Sequence, residues 1–191
     1  FDADWMGGAE SGIAKSQRFA LTLPERRYML ETRLLGKHQL ANAACAGGVV
    51  HALRGLGITI SDDALQKGML YAAWPGRMEI VREKPLVMLD CAKDADAARN
   101  LRIAFDEDVR RKRLFLVISI SADKSIDQML GHLVPISDVV IATAHKVMGR
   151  AAAPSDLARE AAKLGKNAIM IPDVKDAVRE AIALAGPDDA I

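Results

Sequence analysis

"PLVMLDCAKDADAARNLRIAF", residues 85–105, decides how this chain is read. A short apolar run climbs to Asp90, a lysine follows at Lys93, and Asp94 opens a stretch with a different period. From 94 to 110, Ala98, Leu101, Phe105 and Val109 recur at three- and four-residue steps, which predicts one apolar face of a helix. The unit is therefore strand, turn, helix. Either it is an ordinary turn with an internal ion pair and a capped helix, or it is the lip of a ligand site.

The same alternation runs through the rest of the chain. Strand-like runs lie at 78–82, 86–90, 114–119, 138–143 and 167–171. Helical stretches lie at 125–133, 154–165 and 173–186, with Ser155 expected as an N-cap and Gly165 as a stop. Strands alternating with helices predict an α/β fold: a Rossmann-like, mostly parallel sheet with helices on both faces. Ligands of such sheets gather at the carboxyl ends of the strands, where Asp90, Ser121, Asp123, Lys124 and Thr143 would lie.

Upstream the pattern differs. Residues 1–16 have no clear period, then "QRFALTLP" and "RRYMLETRLLG" predict a strand pair around a Pro-Glu turn. Residues 38–57 form a small-residue helix ending at Gly55 or Gly57, and a second helix begins after the cap Ser61. Pro75 and Gly76 break the pattern, so the boundary divides the chain into 1–73 and 75–191. The close, "GPDDAI", reads as the first residues of a further strand, and the opening lacks an initiating methionine; a piece of a longer protein is expected.

Bulk properties exclude several classes. The formal charge is +1 and aromatics are 4%, which argues against nucleic-acid binding and a base-stacking platform. No apolar run approaches ~18 residues, so no membrane span is expected. Two cysteines, Cys45 and Cys91, lack metal-type spacing, which predicts no metal ligands here and a reduced, cytoplasmic setting.

Candidate sites each have two readings. "GGAESGIAKS" approaches a phosphate loop but fails, because Ile13 stands where the lysine belongs and Lys15 comes two places late. His38 and Asn42, four apart, share a face near a helix start. They either hold a polar heterocycle or phosphate, or they satisfy a domain junction. Arg77 follows the Pro-Gly turn, either as a phosphate fork or as a surface arginine at a hinge. Ser121, Asp123 and Lys124 either bind ligand or perform turn chemistry. Thr143, His145 and Arg150 follow the next strand, where a lone loop histidine reads as solvated. Cys91 reads as a small buried packing residue.

In order, the segments "LLGKHQLANAACA", "WPGRMEIV", "VMLDCAKDADAARNL", "SADKSIDQML" and "GRAAAPSDLA" are more specific than any one of them. The series resembles the folylpolyglutamate synthase/dihydrofolate synthase branch of the Mur ligase family, from about residue 17 onward. The resemblance implies that 1–73 is the tail of a central ATP-binding domain. Residues 75–191 would be the Rossmann-like carboxy-terminal domain, cut before its last strand. It implies an ATP-dependent ligase that joins a carboxylate to an amine through an acyl phosphate, using Mg²⁺. A folate- or pterin-like carboxylate and glutamate are the implied substrates.

By the same likeness His38 and Asn42 contact the adenine side of ATP, Arg77 its phosphates, and Asp90 the region of the ribose and the catalytic cleft. Asp90 and Lys93 would be the catalytic pair; Lys93, Ser121 and Lys124 would bind substrate. The phosphate loop, the magnesium ligands and the family's modified lysine would lie upstream of Phe1, so this stretch alone is expected to be inactive. One departure stands out. Folate ligases read Asp-Gly-Ala-His-Asn-Pro where this chain reads Asp90-Cys91-Ala92-Lys93-Asp94-Ala95. A fixed cation thus replaces a group of the type that titrates near neutrality. This keeps open a Mur-type ligase for another carboxylate, such as a modified pterin, a tetrapyrrole or a wall precursor. It also keeps open a Mur-like binding protein without catalysis. A plain dinucleotide-binding domain has the missing glycine fingerprint against it.

Overall fold

The structure is a computed structural model that describes residues 2–7 and 16–191. The chain divides into two compact units, Phe1–Met78 with Ile103–Arg110, and Glu79–Arg102 with Arg111–Ile191. Among the described residues the first holds one sheet and the second holds two.

In the first unit three antiparallel strands, β1 (Asp2–Gly7), β2 (Gln17–Leu23) and β3 (Arg26–Thr32), lie in chain order. Thr22 pairs with Asp2 on one side and with Arg27 on the other. The strand β1 falls in the stretch expected to have no element. The Gly12, Ile13 and Lys15 of the rejected phosphate loop lie outside the described residues.

Two helices pack on this sheet, α1 (His38–Gly55) and α2 (Asp62–Tyr71). Ser61 caps α2 as expected, its Oγ accepting from the Ala64 N–H at 3.1 Å. Phe19, Leu21 and Leu23 of β2 meet Leu40, Ala43 and Ala44 of α1 and Leu65 and Met69 of α2 in one core. Gly47 lets α1 approach the sheet: a Cβ there would come within 2.6 Å of Leu21 Cδ2. Arg54 ties the unit together at the far end of α1. It donates to the Ile60 carbonyl, the Tyr28 hydroxyl and Asp62, at 2.8, 3.0 and 3.0 Å.

The second unit is the α/β body that the alternation predicts. A hairpin, β4 (Glu79–Glu83) and β5 (Leu86–Leu89), is antiparallel. Three parallel strands follow, β6 (Phe115–Ile118), β7 (Val139–Ala142) and β8 (Ala168–Met170). The final residues join the two. Ala190 bridges in parallel to both Leu86 and Leu114, and Met88 and Ile191 are linked by a 2.9 Å backbone bond. The strand start expected in "GPDDAI" is thus present between β5 and β6.

Helices cover both faces. Along β7, Val140 and Ala142 point into a core with Ala98 of α3 (Ala95–Asp108), Met129 and Leu130 of α4 (Ile126–Leu133), and Leu157 and Ala161 of α5 (Pro154–Lys163). The residue between them, Ile141, points the other way, toward Phe115, Val87 and the Ala177 and Ala181 of α6 (Val174–Leu184). One expectation is corrected here. Ser155 is not the cap of α5: Ala153 holds the cap position and Pro154 opens the helix, with no side-chain cap bond. Proline's missing N–H and fixed φ suit the first helical position, which moves the cap two residues earlier.

At the last residues a carboxylate is buried. Asp189 is 3% exposed and accepts from Arg113 Nε and Nη2 at 3.1 and 2.6 Å and from the Gly186 N–H at 2.8 Å. The guanidinium beside it holds its carboxyl below the usual carboxylate range.

Candidate functional site

The first polar cluster sits at the start of α1. Gly36 precedes it at φ +90°, and a Cβ there would lie 2.7 Å from His38 Cε1 and 2.9 Å from His38 Nδ1. The His38 ring therefore occupies the space that any other residue at 36 would fill. The turn is fixed from β2 by Gln17, which is buried and donates Nε2 to the Leu34 and Gly36 carbonyls at 2.7 and 3.0 Å. Gln39 then links the two sequence-selected residues. Its Nε2 lies 3.0 Å from His38 Nε2, and its Oε1 accepts from Asn42 Nδ2 at 2.8 Å. Asn42 is exposed and keeps its Oδ1 and one N–H for another partner.

Neither Gln17 nor Gln39 was selected from the sequence. Gln39 is hidden beside His38, and Gln17 acts across a turn 17 residues away. Arg77 is half-buried in the same unit, in the turn between Gly76 at φ +70° and Met78 at φ +45°.

The second cluster lines the carboxyl edge of the parallel sheet, in the other unit. Asp90 follows β5 and is half-buried; Lys93 is exposed in the turn to α3. Cys91 corrects an expectation: it lies in the same turn, past the end of β5, and is exposed rather than buried. Asp94 caps that helix, its Oδ1 accepting from the Ala97 N–H at 2.8 Å. After β6, Ser121 Oγ lies 3.2 Å from His145 Nε2, and Ser119 Oγ accepts from the His145 N–H at 2.9 Å. Lys124 pairs with Asp123 at 3.1 Å. That bond, with the nearby field of Arg150, holds the Asp123 carboxyl below its usual range. After β7, Thr143 is buried and donates to the Pro172 carbonyl at 3.1 Å. Lys146 pairs with Asp173 at 2.9 Å, which lowers the Asp173 carboxyl and raises the lysine. Asp173 also caps α6 through the Lys175 N–H at 2.9 Å.

So the sequence placed Asp90, Ser121, Asp123, Lys124 and Thr143 at the carboxyl ends of the strands, with Lys93 in the turn after Asp90, and His38 and Asn42 on one helix turn. It read His145 as a solvated loop residue; the structure pairs it with Ser121 instead. Chemically, the edge combines hydroxyl groups and exposed cations with several carboxylates, of which Asp90 and Asp173 are half-buried; the cations and hydroxyls suit an anionic ligand.

Residues 76–191 match the family described as "Mur ligase, glutamate ligase domain". The chain belongs to the Mur ligase family. A curated relative from Bacillus subtilis, a dihydrofolate synthase/folylpolyglutamate synthase, is 32% identical over 133 residues, 69% of this chain and 31% of the relative. Among solved structures, Mycobacterium tuberculosis folylpolyglutamate synthase complexed with ADP superimposes with a TM-score of 0.81 at 28% identity. That match covers 91% of this chain and 39% of that one. The Yersinia pestis bifunctional folylpolyglutamate synthase/dihydrofolate synthase with Mn, AMPPNP and L-glutamate bound gives 0.76 at 27% identity, over 99% and 42%. This Mur ligase chain thus spans less than half the length of each of these relatives. No described helix is long and apolar enough to cross a membrane.

Proposed function

We propose that the protein carrying this chain is an ATP-dependent ligase that joins a folate- or pterin-type carboxylate to the amine of glutamate. One observation carries the reading: the chain aligns at 32% identity over 133 residues with a dihydrofolate synthase/folylpolyglutamate synthase, in the Mur ligase family. Residues 1–73 would be the tail of the ATP-binding domain, and 75–191 the carboxy-terminal domain.

In this reading His38 and Asn42 face the adenine. The free Oδ1 and N–H of Asn42 supply the acceptor and donor that a purine edge asks for. Gln39 fixes the orientation of both, and Gln17 with Gly36 fixes the turn beneath them. Arg77 offers its guanidinium to phosphate oxygens. Asp90 orients a ribose hydroxyl. Lys93, exposed and cationic, takes a substrate carboxylate or an ATP phosphate. Ser121 and Lys124 hold substrate. ATP, when bound, supplies the phosphoryl group that activates the carboxylate; these residues contribute position and charge. The family resemblance assigns Mg²⁺ to ligands elsewhere in the full-length protein, and no step is routed through it. A cytoplasmic location accords with ATP use.

The test is phosphate release by the full-length protein with ATP, Mg²⁺, a reduced pterin or folate, and glutamate, each omitted in turn. Release that requires both the pterin and glutamate supports the ligase. Release with a different carboxylate alone moves the reading to another Mur-type substrate. ATP binding without release for any carboxylate–amine pair sinks the catalytic reading.

A further inference from the structure

We propose that His145 is a positioning residue: it holds the Ser121 hydroxyl as a hydrogen-bond donor toward a carboxylate of the substrate. The inference rests on the ligase reading above and deepens it at one residue. His145 is fixed at three points. Its N–H donates to Ser119 Oγ at 2.9 Å, its Nδ1 accepts from the Val147 N–H at 3.3 Å, and its Nε2 lies 3.2 Å from Ser121 Oγ. A ring nitrogen that accepts carries no proton. In the neutral imidazole the proton is therefore on Nε2, and it is donated to Ser121 Oγ.

That assignment decides what the serine can do. A histidine that activates a serine nucleophile must offer an unprotonated nitrogen to the hydroxyl, with its other nitrogen held protonated by an acceptor. Here the polarity is reversed, so the pair does not make a nucleophile. Instead one oxygen lone pair of Ser121 is filled, and its own hydrogen is directed elsewhere.

The serine is also held rigidly. Its carbonyl accepts from the Lys124 N–H at 3.0 Å, and its backbone bridges to Ala151. On either side the Ala122 N–H donates to the Arg150 carbonyl and the Ala152 N–H to the Ile120 carbonyl, both at 2.8 Å. Ser121 is half-buried at the carboxyl edge of the sheet, where ligands of such sheets sit. Lys124 and Arg150 both act on the neighbouring Asp123, which puts two cations at this edge for an anionic oxygen. A fixed hydroxyl donor loses little freedom when a carboxylate arrives.

The experiment uses the full-length protein with Ser121→Ala, His145→Ala, His145→Gln and the Ser121→Ala/His145→Ala double variant. Steady-state constants are measured for ATP and for both carboxylate-bearing substrates, and the His145 tautomer is read from its ring ¹⁵N shifts. His145→Ala should raise KM for one carboxylate substrate about tenfold, a loss of roughly one charge-assisted hydrogen bond, far more than it lowers kcat. His145→Gln, which keeps an N–H donor, should recover most of that loss. The double variant should be no worse than Ser121→Ala, because the histidine acts only through the serine. Additive losses, or an Nδ1-protonated ring, would overturn the proposal. If the parent protein forms no amide, the ligase reading falls by itself, and the ring tautomer then upholds or overturns the pair.

Discussion

Replacing Gly36 with alanine tests the geometry of the α1 turn most directly. At φ +90° an L-residue costs roughly 1–2 kcal/mol relative to glycine. The new Cβ would also lie 2.7 Å from His38 Cε1, well inside van der Waals contact. His38 must leave its position, at about 0.5–1.5 kcal/mol for a forced rotamer. Together the loss is about 2–3 kcal/mol, on the order of 10–20 °C in the melting temperature of a unit this small. Thermal unfolding followed by circular dichroism reads the loss. The two contributions separate in a cycle. With His38→Ala already present, Gly36→Ala should cost only the backbone part, about 1–2 kcal/mol. In the full-length protein, Gly36→Ala should also weaken ATP binding, because the displaced ring is the one assigned to the adenine. A fully stable Gly36→Ala protein, or the same cost with and without His38, would refute the reasoning.

Three further perturbations follow from the same contacts. Gln17→Leu leaves the Leu34 carbonyl without its donor, while the Gly36 carbonyl keeps the Gln39 N–H at 2.9 Å, and should cost the first unit about 1–3 kcal/mol, read by urea unfolding; a loss below about 0.5 kcal/mol would mean that water replaces the amide. Asp189→Asn should destabilise the second unit at pH 7. The folded carboxyl lies below its unfolded value, so its contribution is fully present above about pH 4 and fades as pH falls through the folded pKa; the gap in urea midpoint between parent and variant, followed by circular dichroism, should close at acid pH, and a gap independent of pH would be the contrary result. Lys93→Ala should raise the constant for a carboxylate substrate or for ATP at least several-fold, and unchanged constants for all substrates would remove Lys93 from the site.

What the sequence made legible follows from where the information sits. Strands β5 to β8 are short apolar runs bounded by polar turns, so their positions were readable to within about two residues. Strand β1 was not, because it lies in a glycine-containing stretch without alternation and exists through its pairing with β2. The α5 start was misplaced because a serine after a proline looks like a cap, although proline already meets the needs of the first turn. The site divides in the same way. Residues that act within one turn, such as Ser61 and Asp94, could be assigned from neighbours. The Ser121–His145 pair spans 24 residues and depends on β6 and β7 lying in parallel register, Ile118 beside Ala142. No local pattern encodes that distance.

The departure at residues 90–95 can now be taken apart. Two of its changes are charged, Lys93 for the histidine of folate ligases and Asp94 for their asparagine. Asp94 has a complete local explanation. Its Oδ1 accepts from the Ala97 N–H at 2.8 Å, which asparagine would do equally well, and its negative charge suits the helix N-terminus. Asp94 therefore demands no change of substrate. Lys93 has no such explanation in helix chemistry, since a cation beside a helix N-terminus is unfavourable. The two changes also balance, one positive and one negative, so the net charge of the turn stays close to that of a neutral histidine with asparagine. What differs is the placing of the positive charge, exposed and one residue before the cap. In the proposed reading this exposed charge meets an anionic ligand, and the substrate constants of Lys93→Ala and Lys93→His, measured side by side, would show which anion that is.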